Sequence, residues 1–177
     1  ISTKIIRRMT ISQIGRAARE PLLITFSTAS SSVAMPYTMK AAEDGFGVAP
    51  EIARTTVPLG ATVNMDGTSV YQVMALVFLM SLFGHVAGVT ITTGTLVSVA
   101  VLVVLYSIGT PGVPGGSVKV IQDVLVMFGI PPGVIGIILP MDRLLDMSRS
   151  AVNVSGDLFT ASVTDRICRD SRRNGDR

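Results

Sequence analysis

The chain has 177 residues, of which 48% are hydrophobic and only 15% charged, with a net charge of +3, no tryptophan and a single cysteine. A soluble domain ordinarily carries about a quarter charged residues, whereas residues 67–118 here contain no Asp, Glu, Lys or Arg. That composition excludes a disulfide framework, since Cys168 has no partner in the chain, and it makes lipid the expected solvent of the central block.

Taken in chain order, residues 1–19 form a basic lead-in with Lys4, Arg7, Arg8, Arg16 and Arg19. The chain opens ISTKIIRRMT without a starting methionine and reads as the C-terminal piece of something longer. Residues 20–49 include PLLITFSTASSSVAMPYTM, an apolar segment interrupted by polar residues 27–32 and by Pro36. Such a segment is a poor spanning helix and predicts a first re-entrant hairpin, with an ordinary loop between short spans as the alternative.

Residues 50–84 predict a transmembrane helix containing NMDGT, and 85–94 an outer connection in which His85 is an exposed loop residue. Residues 95–132 carry the apolar run TLVSVAVLVVLYSIG and then break at SIGTPGVPGGS, which has four glycines and two prolines. Glycine and proline at that density cannot stay helical, so a second re-entrant hairpin is expected. A final transmembrane helix follows over 133–165, with a basic tail over 166–177 containing Arg166, Arg169, Arg172, Arg173 and Arg177. The positive-inside rule places both ends in the cytoplasm and the 85–94 connection outside, hence two full crossings. A nucleic-acid or lipid-binding tail is the competing reading of these arginines. The fold class expected is an all-α integral membrane protein built from hairpin plus helix, twice.

VNMDGT at 63–68 and VNVSGD at 152–157 share the pattern V-N-x-x-G, each in the helix after a hairpin. If the hairpins enter from opposite sides the repeats are inverted, which points to a secondary transporter's binding site. Asp142, Asp146, Arg149, Ser150, Asn153 and Asp157 fall within a stripe of roughly 100° on a helical wheel. A charge at the bilayer centre costs at least about 2.5 kcal/mol, so such groups face a protein interior or water and are functional by default. A structural Asp146–Arg149 pair is the alternative. A guanidinium suits a carboxylate, and an aspartate one turn away suits an ammonium. Asp66, with Asn64, Gly67 and Thr68, offers only oxygen ligands for a hard cation, with Gly67 as the point where the helix unwinds. Nothing resembles a nucleophile–base triad or a phosphate loop, so no enzymatic activity is expected and no catalytic residue is named.

The set STASSSVAMP, PLGATVNMDGTSVYQ, SIGTPGVPGG and DMSRSAVNVSGD, in this order, resembles the dicarboxylate/amino acid:cation symporter family, over about residues 20–165. The resemblance implies a C-terminal transport-domain portion of a homotrimer, whose scaffold contacts come from N-terminal helices outside this chain. It implies sodium-coupled symport of aspartate or glutamate across the plasma membrane, with sodium as coupling ion and no cofactor. Substrate contacts would come from Ser30, Ser31, Ser32, Thr68, Val113, Asp146, Arg149, Ser150 and Asn153. Asp146 would take the amino group and Arg149 the side-chain carboxylate. One sodium site would use Gly60, Asn64, Asn153 and Asp157. A second would use Thr62 with the hairpin carbonyls of Ser107, Ile108 and Thr110, and Asn64 and Asp66 would contribute to a third. The 107–117 hairpin would be the outer gate.

Three positions depart from, or choose within, the family pattern. Members specific for acidic amino acids usually carry a further arginine where this chain has Ala29 or Met147. Pro111 stands in the outer tip where small residues are common. Gln72 stands where proton- and potassium-coupled relatives have a glutamate, which favours sodium-only coupling. A neutral amino acid or a dicarboxylate is the alternative cargo, and a substrate-gated anion channel or sensor the alternative class.

Overall fold

A computed structural model describes residues 9–108 and 112–175 of the chain, and among them there is no β-strand. Seven α-helices follow in order: α1 (Ile11–Thr28), α2 (Ser31–Lys40), α3 (Pro50–Val63), α4 (Asp66–Phe83), α5 (Thr93–Ser107), α6 (Gly116–Met127) and α7 (Leu139–Gly175). A π-helical turn at Ala41–Gly45 and 3₁₀ turns at Gly84–Ala87 and Pro132–Ile137 connect them.

Helix α1 starts earlier than the expected hairpin boundary at residue 20. Thr10 and Gln13 form a capping box, each side chain satisfying the other's backbone N–H. The helix passes through Pro21 and ends at Ala29, which adopts the left-handed conformation at φ 53° and is 1% exposed. Ser30 then caps α2, accepting from Val33 N at 3.2 Å. The chain therefore reverses at Ala29–Ser30, and Pro36 lies inside α2 without ending it.

The expected single helix over 50–84 is broken, and not at Gly67. Asn64 (φ −89°, ψ 67°) and Met65 (φ −98°, ψ 45°) leave helical geometry, while Gly67 sits in the first turn of α4. Gly67 is small for a different reason: a Cβ there would meet Arg149 O at 2.6 Å and Val152 Cβ at 2.9 Å. The glycine lets α4 lie against the backbone of α7.

Among the described residues, one continuous stretch, Pro50–Ala87, is long and apolar enough to cross a membrane. Helix α5 is apolar but has 15 residues, about 22 Å and short of the ~30 Å hydrocarbon core. Helix α7 has 37 residues, about 55 Å, but carries the charged stripe and runs ten residues past its expected end.

Two apolar clusters stabilise the assembly. One joins α4, α5 and α6 through Leu76, Leu79, Val99, Val103, Ile121 and Leu125. The other joins α1, α3 and α7 through Ala18, Phe46, Val57, Leu158 and Ala161. Along α7 the polar stripe occupies the interval between Ile138, packed on the first cluster, and Leu158 in the second. Much of the exterior is apolar as well, including Leu59, Val70, Met74 and Leu105, each at least 60% exposed. An apolar surface of that extent fits lipid or further helices, not water.

Candidate functional site

The site is a buried polar layer where α7 meets the α3–α4 break, the α1–α2 turn and the start of α6. Asp142, Asp146, Arg149, Ser150, Asn153 and Asp157 are all buried, as the wheel predicts. Their burial in low dielectric requires partners, and most have them.

Arg149 is shared between two carboxylates. Its Nε donates to Asp146 Oδ1 at 3.0 Å and its Nη1 to Asp142 Oδ1 at 3.1 Å. The guanidinium carbon also lies 4.2 Å from the ring centroid of Tyr71, whose hydroxyl donates to the same Asp142 Oδ1 at 2.8 Å. The remaining nitrogen, Nη2, is buried without a hydrogen-bond partner among the described residues. Asp146 Oδ2 accepts from Gly115 N at 3.1 Å, tying α7 to the start of α6.

Asn153 bridges the break in the neighbouring helix. Its Oδ1 accepts from Gly67 N at 2.8 Å and Thr68 N at 3.4 Å, and its Nδ2 donates to Thr68 Oγ1 at 2.8 Å. The first amides of a helix lack intrahelical partners, and a side chain from α7 supplies the cap that Met65 cannot. Nearby, Asn64 Nδ2 donates to Asp157 Oδ1 at 3.1 Å, and Gly60 presses so close to that oxygen that a Cβ would overlap it. Gly60, Asn64 and Asp157 thus come together, and Asp66 Oδ2 lies 3.4 Å from the Cβ position of Gly156. These groups are amide, carboxylate and carbonyl oxygens suited to a hard cation, with no cluster of His, Cys, Asp and Glu among the described residues.

The tip of the α1–α2 turn touches the tip that leads into α6. Ser30 Oγ donates to Gly112 O at 2.7 Å and Ser32 N to the same oxygen at 3.3 Å, while a Cβ at Gly112 would overlap Ser31 Oγ. Beneath the contact lies a cavity of about 20 Å³ lined by Ser31, Met65, Thr68, Gly112, Val113, Gly116, Ser117, Asp146, Ser150 and Asn153. That space holds little more than a water, far below the ~300 Å³ at which ordinary ligand sites begin. A wider hollow of about 810 Å³ runs between α4 and α7 past Val70, Tyr71, Met74, Met141 and Val152, and Arg149 borders this hollow instead of the small cavity.

The sodium:dicarboxylate symporter family model matches residues 1–167. This chain belongs to that family. Relatives of this chain include the putative sodium-dependent excitatory amino acid transporter glt-4 of Caenorhabditis elegans, 35% identical over 96% of this chain and 33% of its own length. Neutral amino acid transporter B(0) of Mus musculus is 38% identical over 81% of this chain and 25% of its own. Excitatory amino acid transporter 1 of Rattus norvegicus is 32% identical over 89% of this chain and 28% of its own. The chain spans a third or less of the length of these relatives.

The structure gathers most of the residues singled out from sequence, but not all. Ser31, Thr68, Val113, Asp146, Ser150 and Asn153 line one cavity. Ser30 makes the tip contact, and Ser32 is exposed, contributing its backbone N–H. Thr62 is exposed and its hydroxyl donates back to Leu59 O at 3.0 Å. The Ser107 hydroxyl accepts from Ser69 Oγ at 3.1 Å and donates to Val104 O at 2.9 Å, which leaves its carbonyl role untouched, and Ile108 is half exposed. Thr110 lies outside the described residues, as does Pro111.

Sequence reading missed several residues. Ser117 and Met65 line the cavity; the PGG preceding Ser117 was the available signal, since it had to turn the chain into the site. Tyr71 gave none, because an aromatic in an apolar run reads as core. Gln72, expected only as a non-titrating stand-in, is fully buried with neither amide atom hydrogen-bonded.

Proposed function

We propose that this chain carries the cargo and ion sites of a sodium-coupled secondary symporter for acidic amino acids, aspartate or glutamate. The observation that carries the reading is the buried, unpartnered Nη2 of Arg149, one helical turn from the cavity-lining Asp146. An unsatisfied guanidinium donor in low dielectric is a site for a carboxylate oxygen, and Asp146 provides the counter-charge for the amino group. Ser31, Thr68, Ser150 and Asn153 supply hydroxyl and amide groups for the α-carboxylate. The names of the relatives, excitatory and neutral amino acid transporters, agree with an amino acid cargo of either kind.

Sodium would bind at Gly60, Asn64, Asn153 and Asp157, with Asp66 and Asn64 contributing to a further site. The site of Thr62, Ser107, Ile108 and Thr110 would form as the outer tip rearranges. The α1–α2 and α5–α6 pairs would be re-entrant hairpins of an inverted repeat. The basic ends would lie in the cytoplasm of a multi-pass plasma-membrane protein, assembled as a homotrimer through segments beyond this chain. Sodium that orders the α3–α4 break and the tips would raise cargo affinity, and cargo would raise sodium affinity equally.

One observation favours a neutral amino acid instead. Arg149 is already paired with two carboxylates, and positions 29 and 147 supply no second guanidinium. Binding of L-aspartate, L-glutamate, L-serine and succinate to the full-length protein in detergent, with and without sodium, separates the two. The acidic reading expects L-aspartate or L-glutamate to bind only with sodium and Arg149→Cys to lose it. Preference for serine, or an Arg149→Cys protein that binds aspartate unchanged, overturns it in favour of the neutral reading.

A further inference from the structure

The side chains of Arg149, Asp142 and Asp146 are 4%, 10% and 7% exposed, so their charges interact with little screening. Two carboxylates therefore share one buried guanidinium. Asp142 does not line the small cavity, and no hydrogen bond ties it to the ion-ligand groups at the α3–α4 break. It holds Arg149 from the far side. Tyr71 fixes it there twice over, by donating to the oxygen that Arg149 also uses and by stacking its ring on the guanidinium.

A guanidinium recognises a carboxylate best as a fork, with two parallel N–H···O bonds. In this arrangement Nε is taken by Asp146 and Nη1 by Asp142, so a cargo carboxylate finds a single open nitrogen and a like charge beside it. We propose that Asp142, positioned by Tyr71, is the specificity-determining residue of the site: its carboxylate competes with the cargo's side-chain carboxylate for Arg149 and so narrows the preference for acidic over neutral amino acids. The inference rests on the amino acid reading given above. Replacing Asp142 by its amide removes the repulsion and leaves only a neutral acceptor competing for Nη1, so a cargo carboxylate can displace it and take the Nη1–Nη2 edge of Arg149.

The test compares Kd for L-aspartate and L-serine, each with and without sodium, in the full-length wild-type protein, Asp142→Asn and Tyr71→Phe. Asp142→Asn is expected to shift the ratio of affinities toward aspartate by ~10-fold or more, the scale of a charge-assisted hydrogen bond gained at a buried site. Tyr71→Phe keeps the ring, removes one anchor of Asp142, and is expected to shift the ratio in the same direction by a smaller factor. Sodium-dependent serine binding by each variant reports that it is folded, and the ratio is insensitive to a general loss of competent protein. An unchanged ratio in both variants, or equal weakening for both amino acids, overturns the proposal and leaves the amino acid reading standing. Absence of sodium-dependent binding of either amino acid in the wild-type protein overturns that reading itself.

Discussion

Asn64 and Asn153 each reach into the other's motif. Asn64, second residue of VNMDGT, donates to Asp157, the sixth residue of VNVSGD; Asn153, second of VNVSGD, donates to Thr68, the sixth of VNMDGT. Both fifth-position glycines lie at this seam: a Cβ on Gly67 would strike Arg149 O and Val152, and one on Gly156 would strike the Asn64 amide. The two V-N-x-x-G motifs are thus tied together in both directions, beside the small cavity that Thr68 and Asn153 line.

The two asparagines nevertheless differ in what they hold. Asn153 supplies the acceptor for Gly67 N and Thr68 N, so Asn153→Ala leaves those amides without it. A loss of about 1–3 kcal/mol is expected, the scale of a buried unsatisfied group, together with loss of sodium-dependent binding. Asn64→Ala removes one hydrogen bond to Asp157 at a half-buried position and is expected to cost less stability while still raising the sodium concentration required. Thermal unfolding in detergent, with and without sodium, measures both. Equal melting temperatures for the two variants would contradict the capping role of Asn153.

Glycine substitutions separate flexible from rigid neighbours. Gly67→Ala forces a methyl against the backbone oxygen of Arg149, which cannot rotate away, and is expected to cost about 1–3 kcal/mol. Gly60→Ala meets only the side chain of Asp157, which can turn, so its main effect is expected on sodium binding and not on stability. Gly15→Ala faces open space and is the control. Melting temperature and the sodium midpoint for cargo binding distinguish the three.

Ser30→Ala removes the hydrogen bond to Gly112 O that joins the tips over the cavity. The α2 cap is lost at the same time, a cost of about 1 kcal/mol to the fold. If the tip contact closes the site, dissociation of radiolabelled cargo after dilution is faster by roughly 5-fold or more, as expected for about 1 kcal/mol or more at the closed state. An unchanged dissociation rate in a folded variant would show that the contact does not limit release.

Asp165 clasps the opposite end of the molecule. Buried on α7, it accepts from Ala49 N at 3.0 Å and from Arg169 Nε at 2.8 Å, while Arg169 Nη2 donates to Gly47 O at 3.1 Å. Ala49 has no capping side chain of its own for α3. Asp165→Ala is expected to lower stability by about 1–2 kcal/mol, and Asp165→Asn to recover part of it by still accepting from Ala49 N. Neither is expected to change the ratio of aspartate to serine affinity, which a binding titration checks.

The sequence by itself determined the solvent, the class of fold and the family. A 52-residue stretch without a charge, followed by a periodic polar stripe, has few physical solutions, and burial of Asp142, Asp146, Arg149, Ser150, Asn153 and Asp157 on one face of α7 follows from helical spacing alone. The SIGTPGVPGGS break was equally legible, because glycine and proline act locally on the backbone. What required the tertiary structure was every pairing between distant elements. The unwinding fell at Asn64–Met65 and not at Gly67, because a helix breaks where a neighbour can cap the exposed amides, and Asn153 lies opposite that point. Thr62 turned back on its own helix, where Leu59 O was within reach. Arg149 was recognisable as a carboxylate binder, but its division between Asp146 and Asp142, under the ring of Tyr71, depends on two helices meeting at one register. Side-chain type sets which partner a group needs; only packing sets which partner it gets.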